Sequence, residues 1–171
     1  KRVIAALTEC YRSLDDANKL INALREWRFL DPGNLDVQAD LGRALLSVHN
    51  TTEGTKILEA VSSKRPDDVS IHRLLAKTYE KTGNERGRLR HLEAALQREE
   101  TDASLHFQTG RFYLTKGQSD KAIEYFRRAV ELNPDAVRAR FELARLLRSA
   151  GNTKEAYANM AKVAGEKSHE T

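Results

Sequence analysis

Apolar residues recur along this chain at intervals of three and four, in short blocks, and the blocks come in pairs. In the stretch 103–132 one stripe is Leu105, Thr109, Phe112 and Tyr113, and a second is Ala122, Ile123, Phe126, Ala129 and Val130. Such spacing places side chains on one face of a helix with 3.6 residues per turn. The pattern therefore predicts two amphipathic helices joined by a short turn, and the same pair recurs from one end of the chain to the other.

Its recurrence has a fixed length. All three prolines, Pro32, Pro66 and Pro134, fall in one phase of a 34-residue lattice, a coincidence expected on the order of once in 1,000 unrelated sequences. Gly83, Gly117 and Gly151 step by 34, and Tyr11, Tyr79 and Tyr113 share a phase with Leu45 and Leu147. Apolar columns run Leu7, Leu41, Leu75, Thr109, Leu143; Leu24, Leu58, Leu92, Phe126, Met160; and Trp27, Val61, Ala95, Ala129, Val163. The 171 residues thus hold five rows, 1–34, 35–68, 69–102, 103–136 and 137–170.

Each row carries its own punctuation. Glycine in KTGN, TKGQ and SAGN follows the first helix, where the chain adopts positive φ without Cβ strain; Asp15 and His49 stand there in the first two rows. Proline ends the second helix because it lacks an N–H and disfavours helix in the residue before it. In the row 69–102, Glu100 takes the proline position and the TDAS sequence at 101–104 supplies an N-cap for the next helix.

These residues resemble the tetratricopeptide repeat. The row 103–136 carries its pattern most fully, with Gly110, Tyr113, Ala122, Phe126, Ala129 and Pro134, and similar residues stand at Leu75, Ala76, Tyr79, Leu92 and Ala95 and at Leu143, Ala144, Ala156, Met160 and Val163. Departures are Thr109, Leu20, Trp27 and Arg88, the last where a small residue is expected. The resemblance implies an all-α fold, a right-handed superhelix (α-α solenoid) of about ten antiparallel helices forming one domain over 1–171, with the first helices lining a concave groove. Its implied function is a non-enzymatic scaffold or adaptor for protein partners.

Composition adds limits. With 40% hydrophobic and 32% charged residues the chain is of the folded, soluble kind, and no apolar run is long enough to span a bilayer. The first residue is Lys and the opening stretch is already patterned, so it reads as a segment of a longer protein rather than a signal peptide. Its compartment is left open between cytoplasm and periplasm. A net charge of +4 permits an acidic partner without demanding nucleic acid.

No catalytic signature is present: there is no G-x-S-x-G, no H-E-x-x-H, and the TGNERG segment lacks the Lys-Ser/Thr of a phosphate loop. Neither cofactor nor metal is expected. His72 and His106 lie one row apart, which favours a packing role at an equivalent position over a metal pair; His49 and His91 read as isolated, and His169 as part of a frayed tail. The lone Cys10 reads as a small buried hydrophobe. In ERGRLRH, Arg86 and Arg90 share a helix face and read as solvated, while Arg88 points the other way, into the helix interface, to snorkel or pair with a carboxylate.

Residues two, five, nine and twelve of each row fall on the open side of the first helix. The ninth-residue column is Glu9, Arg43, Lys77, Arg111, Arg145; the fifth is Ala5, Ala39, Arg73, Phe107, Phe141; the second adds Arg138. The ligand-groove residues expected are therefore Arg43, Arg73, Lys77, Phe107, Arg111, Arg138, Phe141 and Arg145, a basic and aromatic ladder suited to an extended acidic peptide. Asp40, Glu80 and Glu142 border it. The carboxylate clamp of some family members is not matched, since Glu142 stands where a cation is wanted. Alternatives are a recognition module within a larger enzyme or envelope or secretion assembly protein and, more weakly, RNA or polysaccharide binding by the basic fifth row. The stretch after Val163 is too short and polar to cap the last helix. Ala156, Met160 and Val163 are therefore expected to be partly exposed, as a surface for self-association.

Overall fold

The computed structural model describes residues 2–167, and among these every element is an α-helix. They are α1 (Arg2–Ser13), α2 (Ala17–Leu30), α3 (Leu35–Ser47), α4 (Thr51–Lys64), α5 (Val69–Thr82), α6 (Glu85–Arg98), α7 (Ala103–Thr115), α8 (Ser119–Leu132), α9 (Val137–Ser149) and α10 (Thr153–Lys167). From α3 onward the first helices begin at 35, 69, 103 and 137, and the second helices at 17, 51, 85, 119 and 153, each step being 34.

The turns explain this regularity. Residues at 15, 49, 83, 117 and 151 all take positive φ: Asp15 (53°), His49 (62°), Gly83 (74°), Gly117 (68°) and Gly151 (83°). The next N–H in each row, from Asp16, Asn50, Asn84, Gln118 and Asn152, donates to the carbonyl of Tyr11, Leu45, Tyr79, Tyr113 and Leu147 at 3.1, 2.9, 3.0, 3.0 and 2.8 Å. This six-to-one bond closes a helix C-terminus around a left-handed residue. The first two rows thus make the same turn as the others without glycine. Second helices stop before Pro32, Pro66 and Pro134, and in the proline-less row the Asp102 carboxylate accepts the Leu105 N–H at 2.7 Å, the cap expected within TDAS.

A second device lies between rows. Gln38 Nε2 donates to the Pro32 carbonyl at 2.7 Å, and Arg140 Nε to the Pro134 carbonyl at 2.6 Å. His72 Nε2 lies 3.2 Å from the Pro66 carbonyl and His106 Nε2 2.8 Å from that of Glu100. These four residues form one lattice column, and each ties its helix back to the carbonyl six residues earlier. The two histidines are therefore loop staples at an equivalent repeat position, the packing role expected of them.

The chain divides into two compact units, Lys1–His91 and Leu92–Thr171. In the first, α2, α3 and α4 bury Ile21, Leu24, Val37, Leu41, Leu45 and Ile57, with Leu20 and Trp27 packed on the edge. Leu58, Val61, Ile71 and Leu75 continue the core between α4 and α5. In the second, α8 packs on α7 and α9, and α10 on α9, burying Leu105, Phe112, Phe126, Ala129, Leu143 and Leu147. Thr109 keeps its core position because its hydroxyl donates to the Leu105 carbonyl at 2.9 Å, which satisfies the buried polar atom.

Several expectations need correction. Ala156 and Val163 are buried, at 5% and 8% exposure, because α10 runs on to Lys167 and packs along α9; of the three residues only Met160, at 40%, is open. Leu7 is 39% exposed although its column is otherwise core. Cys10, expected in the core, is exposed. His91 is not isolated but buried, with its Nδ1 2.8 Å from His72 Nδ1. Arg90 is not merely solvated, since it bonds Glu59. Arg88 is buried and pairs with Glu80 at 3.0 Å, as its helical position indicated. His169 lies outside the described residues.

Candidate functional site

In the second unit, Phe107 and Arg111 on α7 and Arg138 and Phe141 on α9 sit in successive turns of their helices and line one cavity of about 360 Å³, completed by Val137, Glu142 and Val163. Four of the eight expected ligand residues are thus brought together. Phe107 leans on Phe126 with ring centroids 5.6 Å apart, so its outer edge is fixed by the core beneath it. Phe141 is 47% exposed. An exposed aromatic ring held on a rigid helix offers apolar contact at low entropic cost.

Phe141 also walls a second cavity of about 480 Å³ with Ala144, Arg148, Tyr157 and Met160. The lattice shows why it is open. Tyr157 is 77% exposed where Ile123, one row earlier, is 9%, and Met160 is 40% where Phe126 is 0%. Positions that α9 covers on α8 are uncovered on α10. Sequence reasoning placed Met160 but missed Tyr157 and Arg148; the signal was an aromatic residue in a column held by Ile123 in the row before.

In the first unit, Arg43 and Lys77 line a cavity of about 410 Å³ with Leu46, Leu74 and Lys81. Arg73 is half-buried on α5 and does not line it.

The cations are not equally available. Arg43 donates to Asp40 at 3.4 Å and to Ser70 Oγ at 3.1 Å, and Asp40 also accepts from Arg12 at 2.8 Å. Arg145 pairs with Glu142 at 2.7 Å on the same helix. The border carboxylates thus neutralise part of the ladder. Among the described residues, no carboxylate lies within ion-pair distance of Lys77 or Arg138. No group of three or more His, Cys, Asp or Glu side chains is placed to hold a metal ion among the described residues. No helix among them is long and apolar enough to cross a membrane.

Two family models, each described as "Tetratricopeptide repeat", match the chain, one over residues 11–78 and the other over 89–132 and 107–168. The chain belongs to the tetratricopeptide-repeat family. Its all-α fold of helix hairpins is shared by solved structures. One titled "Crystal structure of MamA" matches with a TM-score of 0.84 at 18% identity, covering 96% of each chain. The "MamA RS-1 ArsTM double mutant" matches with a TM-score of 0.86 at 19% identity, over 99% of this chain and 96% of that one. MamA 41-end from Desulfovibrio magneticus RS-1 gives 0.82 at 19%, over 99% and 97%. At these identities the likeness is one of fold. No curated protein matches the chain. Tetratricopeptide repeats are protein-interaction modules, and the chain is one in this general sense.

Proposed function

We propose that this chain is a non-enzymatic scaffold that binds an extended acidic segment of a partner protein on the open face of its first helices. In this reading the seat lies in the second unit. An apolar side chain of the partner lodges between Phe107 and Phe141, and flanking carboxylates meet Arg111 and Arg138. Arg43, Arg73 and Lys77 serve the same chemistry on the first unit, and Arg145 contributes once a ligand carboxylate competes with Glu142.

The observation that carries the reading is the convergence of two aromatic and two basic side chains from α7 and α9 on one cavity. Arginine favours carboxylates because its planar fork presents paired donors, and a few aromatic and arginine side chains seated in pockets carry most of the energy of a protein interface. Titration of fluorescein-labelled peptides carrying Leu or Phe between Asp and Glu residues tests it by anisotropy. Saturable binding that weakens with salt, and that basic peptides of the same length do not show, is the expected result. Equal affinity for acidic and basic peptides would defeat the reading.

A further inference from the structure

The column of loop staples has a consequence for the buried histidines of the first unit. Gln38 Nε2 and Arg140 Nε can only donate. His72 Nε2 occupies the same lattice place against the Pro66 carbonyl, a pure acceptor, and therefore carries its proton there. In neutral His72 the other nitrogen, Nδ1, is then bare. It lies 2.8 Å from His91 Nδ1, so that atom must hold the proton of this contact, and neutral His91 has a bare Nε2.

That bare nitrogen faces two groups at once. The guanidinium of Arg90 reaches it at 3.1 Å, and Oε1 of Glu59 lies 3.0 Å away. A lone pair against a carboxylate oxygen is unfavourable, so in the neutral pair Arg90 is the group that donates to Nε2. The surroundings are otherwise complete. Glu59 from α4 accepts the Tyr79 hydroxyl of α5 at 2.5 Å and also bonds Arg90 of α6. The Tyr79 ring stacks on His91 with centroids 5.8 Å apart.

We propose that His91 is a one-proton switch: a proton taken up and kept at Nε2 turns that nitrogen into a hydrogen-bond donor to Glu59, breaks the Arg90–His91 bond, and leaves the Arg90 guanidinium held by Glu59 and not by the buried ring. Only one proton can enter. A second, on His72 Nδ1, would set two N–H groups head to head at 2.8 Å. Burial holds His91 below the ordinary histidine range, with Glu59 pulling the other way and Arg90 and His72 opposing protonation. The Arg90 side chain is 62% exposed, so the event in the core is transmitted to the surface of α6.

Imidazole nitrogen spectra of the 171-residue chain, followed from about pH 8 to about pH 5, test this. The expected result is two protonated ring nitrogens of the four at high pH and three at low pH, with His91 Nε2 the one that changes and both rings reporting one midpoint. Arg90→Gln should raise that midpoint, and Glu59→Gln lower it, each by about half a pH unit or more. Four protonated nitrogens in the folded chain, no change over the range, or a midpoint that Arg90→Gln leaves in place would each overturn the proposal.

Discussion

Gly110 and Phe126 approach so closely that a Cβ on Gly110 would stand 2.7 Å from both Cδ1 and Cε1 of the ring. Phe126 is fully buried and cannot withdraw. Replacing Gly110 with Ala gains about 1 kcal/mol of helix propensity but overpacks a rigid core contact, which costs roughly 1–3 kcal/mol. Gly110→Ala should therefore destabilise in urea melts by about 1 kcal/mol net. Phe126→Leu made together with Gly110→Ala should cost less than Phe126→Leu alone, because the smaller side chain relieves the clash. A stabilised Gly110→Ala variant would show that α7 and α8 can slide apart freely.

Asp15 and His49 hold left-handed backbone at positions where the later rows use glycine. Their Cβ atoms make this conformation costly by about 1 kcal/mol each. His49→Gly and Asp15→Gly should each raise the urea midpoint, whereas Gly83→Ala should lower it by a similar amount. Opposite signs at equivalent positions would be hard to explain by anything except backbone strain. If His49→Gly destabilises instead, its side chain holds the turn in a way the backbone does not reveal.

Why the turns could be read from sequence and the staples could not is a matter of chemistry. Glycine at 83, 117 and 151 and proline at 32, 66 and 134 each have one dominant backbone reason to be where they are, so their spacing fixed the rows. The staple column is Gln38, His72, His106 and Arg140, four residues of three types whose shared property is a side-chain N–H at the right reach. Residue type alone hides that. His91 read as isolated because its partner Glu59 lies in the preceding row, on another helix. In the candidate site, Phe107, Arg111, Arg138 and Phe141 were legible from helical phase. The quenching of Arg145 by Glu142, three residues earlier, was legible too, by the spacing that lets side chains on one helix meet.

The first unit should lose stability as pH falls below neutrality. His91 has its proton affinity depressed by burial, so below the ordinary histidine range the unfolded chain binds a proton before the folded one does. Burial pushes Glu59 up, but Tyr79, His91 and Arg90 outweigh it and leave it below the usual carboxylate range; its contribution is present at neutral pH and is lost as pH falls through that range. Trp27 is the one tryptophan and packs on the first unit's core, so its emission reports this unit. Its urea midpoint should drop from about pH 7.5 to about pH 5.5, and His91→Gln should flatten the drop. An unchanged slope in that variant would assign the pH dependence to other groups.

Arg88→Ala should be mild. The side chain is buried and pairs with Glu80 at 3.0 Å, yet Glu80 is itself 37% exposed and can turn to water when its partner is gone. No charge is stranded, which is the usual reason that breaking a buried pair is severe. The column also prefers a small residue. A loss of no more than about 1–2 kcal/mol in urea melts is expected; several kcal/mol would show that the guanidinium organises α6.

The test that ties sequence to function is charge reversal on the open face. Lys77 and Arg111 are exposed and point away from the packed columns, so Lys77→Glu with Arg111→Glu should leave the fold intact, each change costing within about 0.5 kcal/mol. Binding should collapse nevertheless, because two attractions become repulsions, with a loss on the order of 2 kcal/mol or more, roughly thirtyfold in Kd. Phe141→Ala should weaken the same ligand and leave its salt dependence unchanged, since it removes apolar contact and no charge. Arg128→Glu on α8 is the control: its partner is Glu131 on the same helix, outside the cavity of Phe107 and Phe141. Should the natural partner bind the double variant as tightly as wild type and lose affinity for Arg128→Glu, the ligand face would lie on the second helices and not on the first.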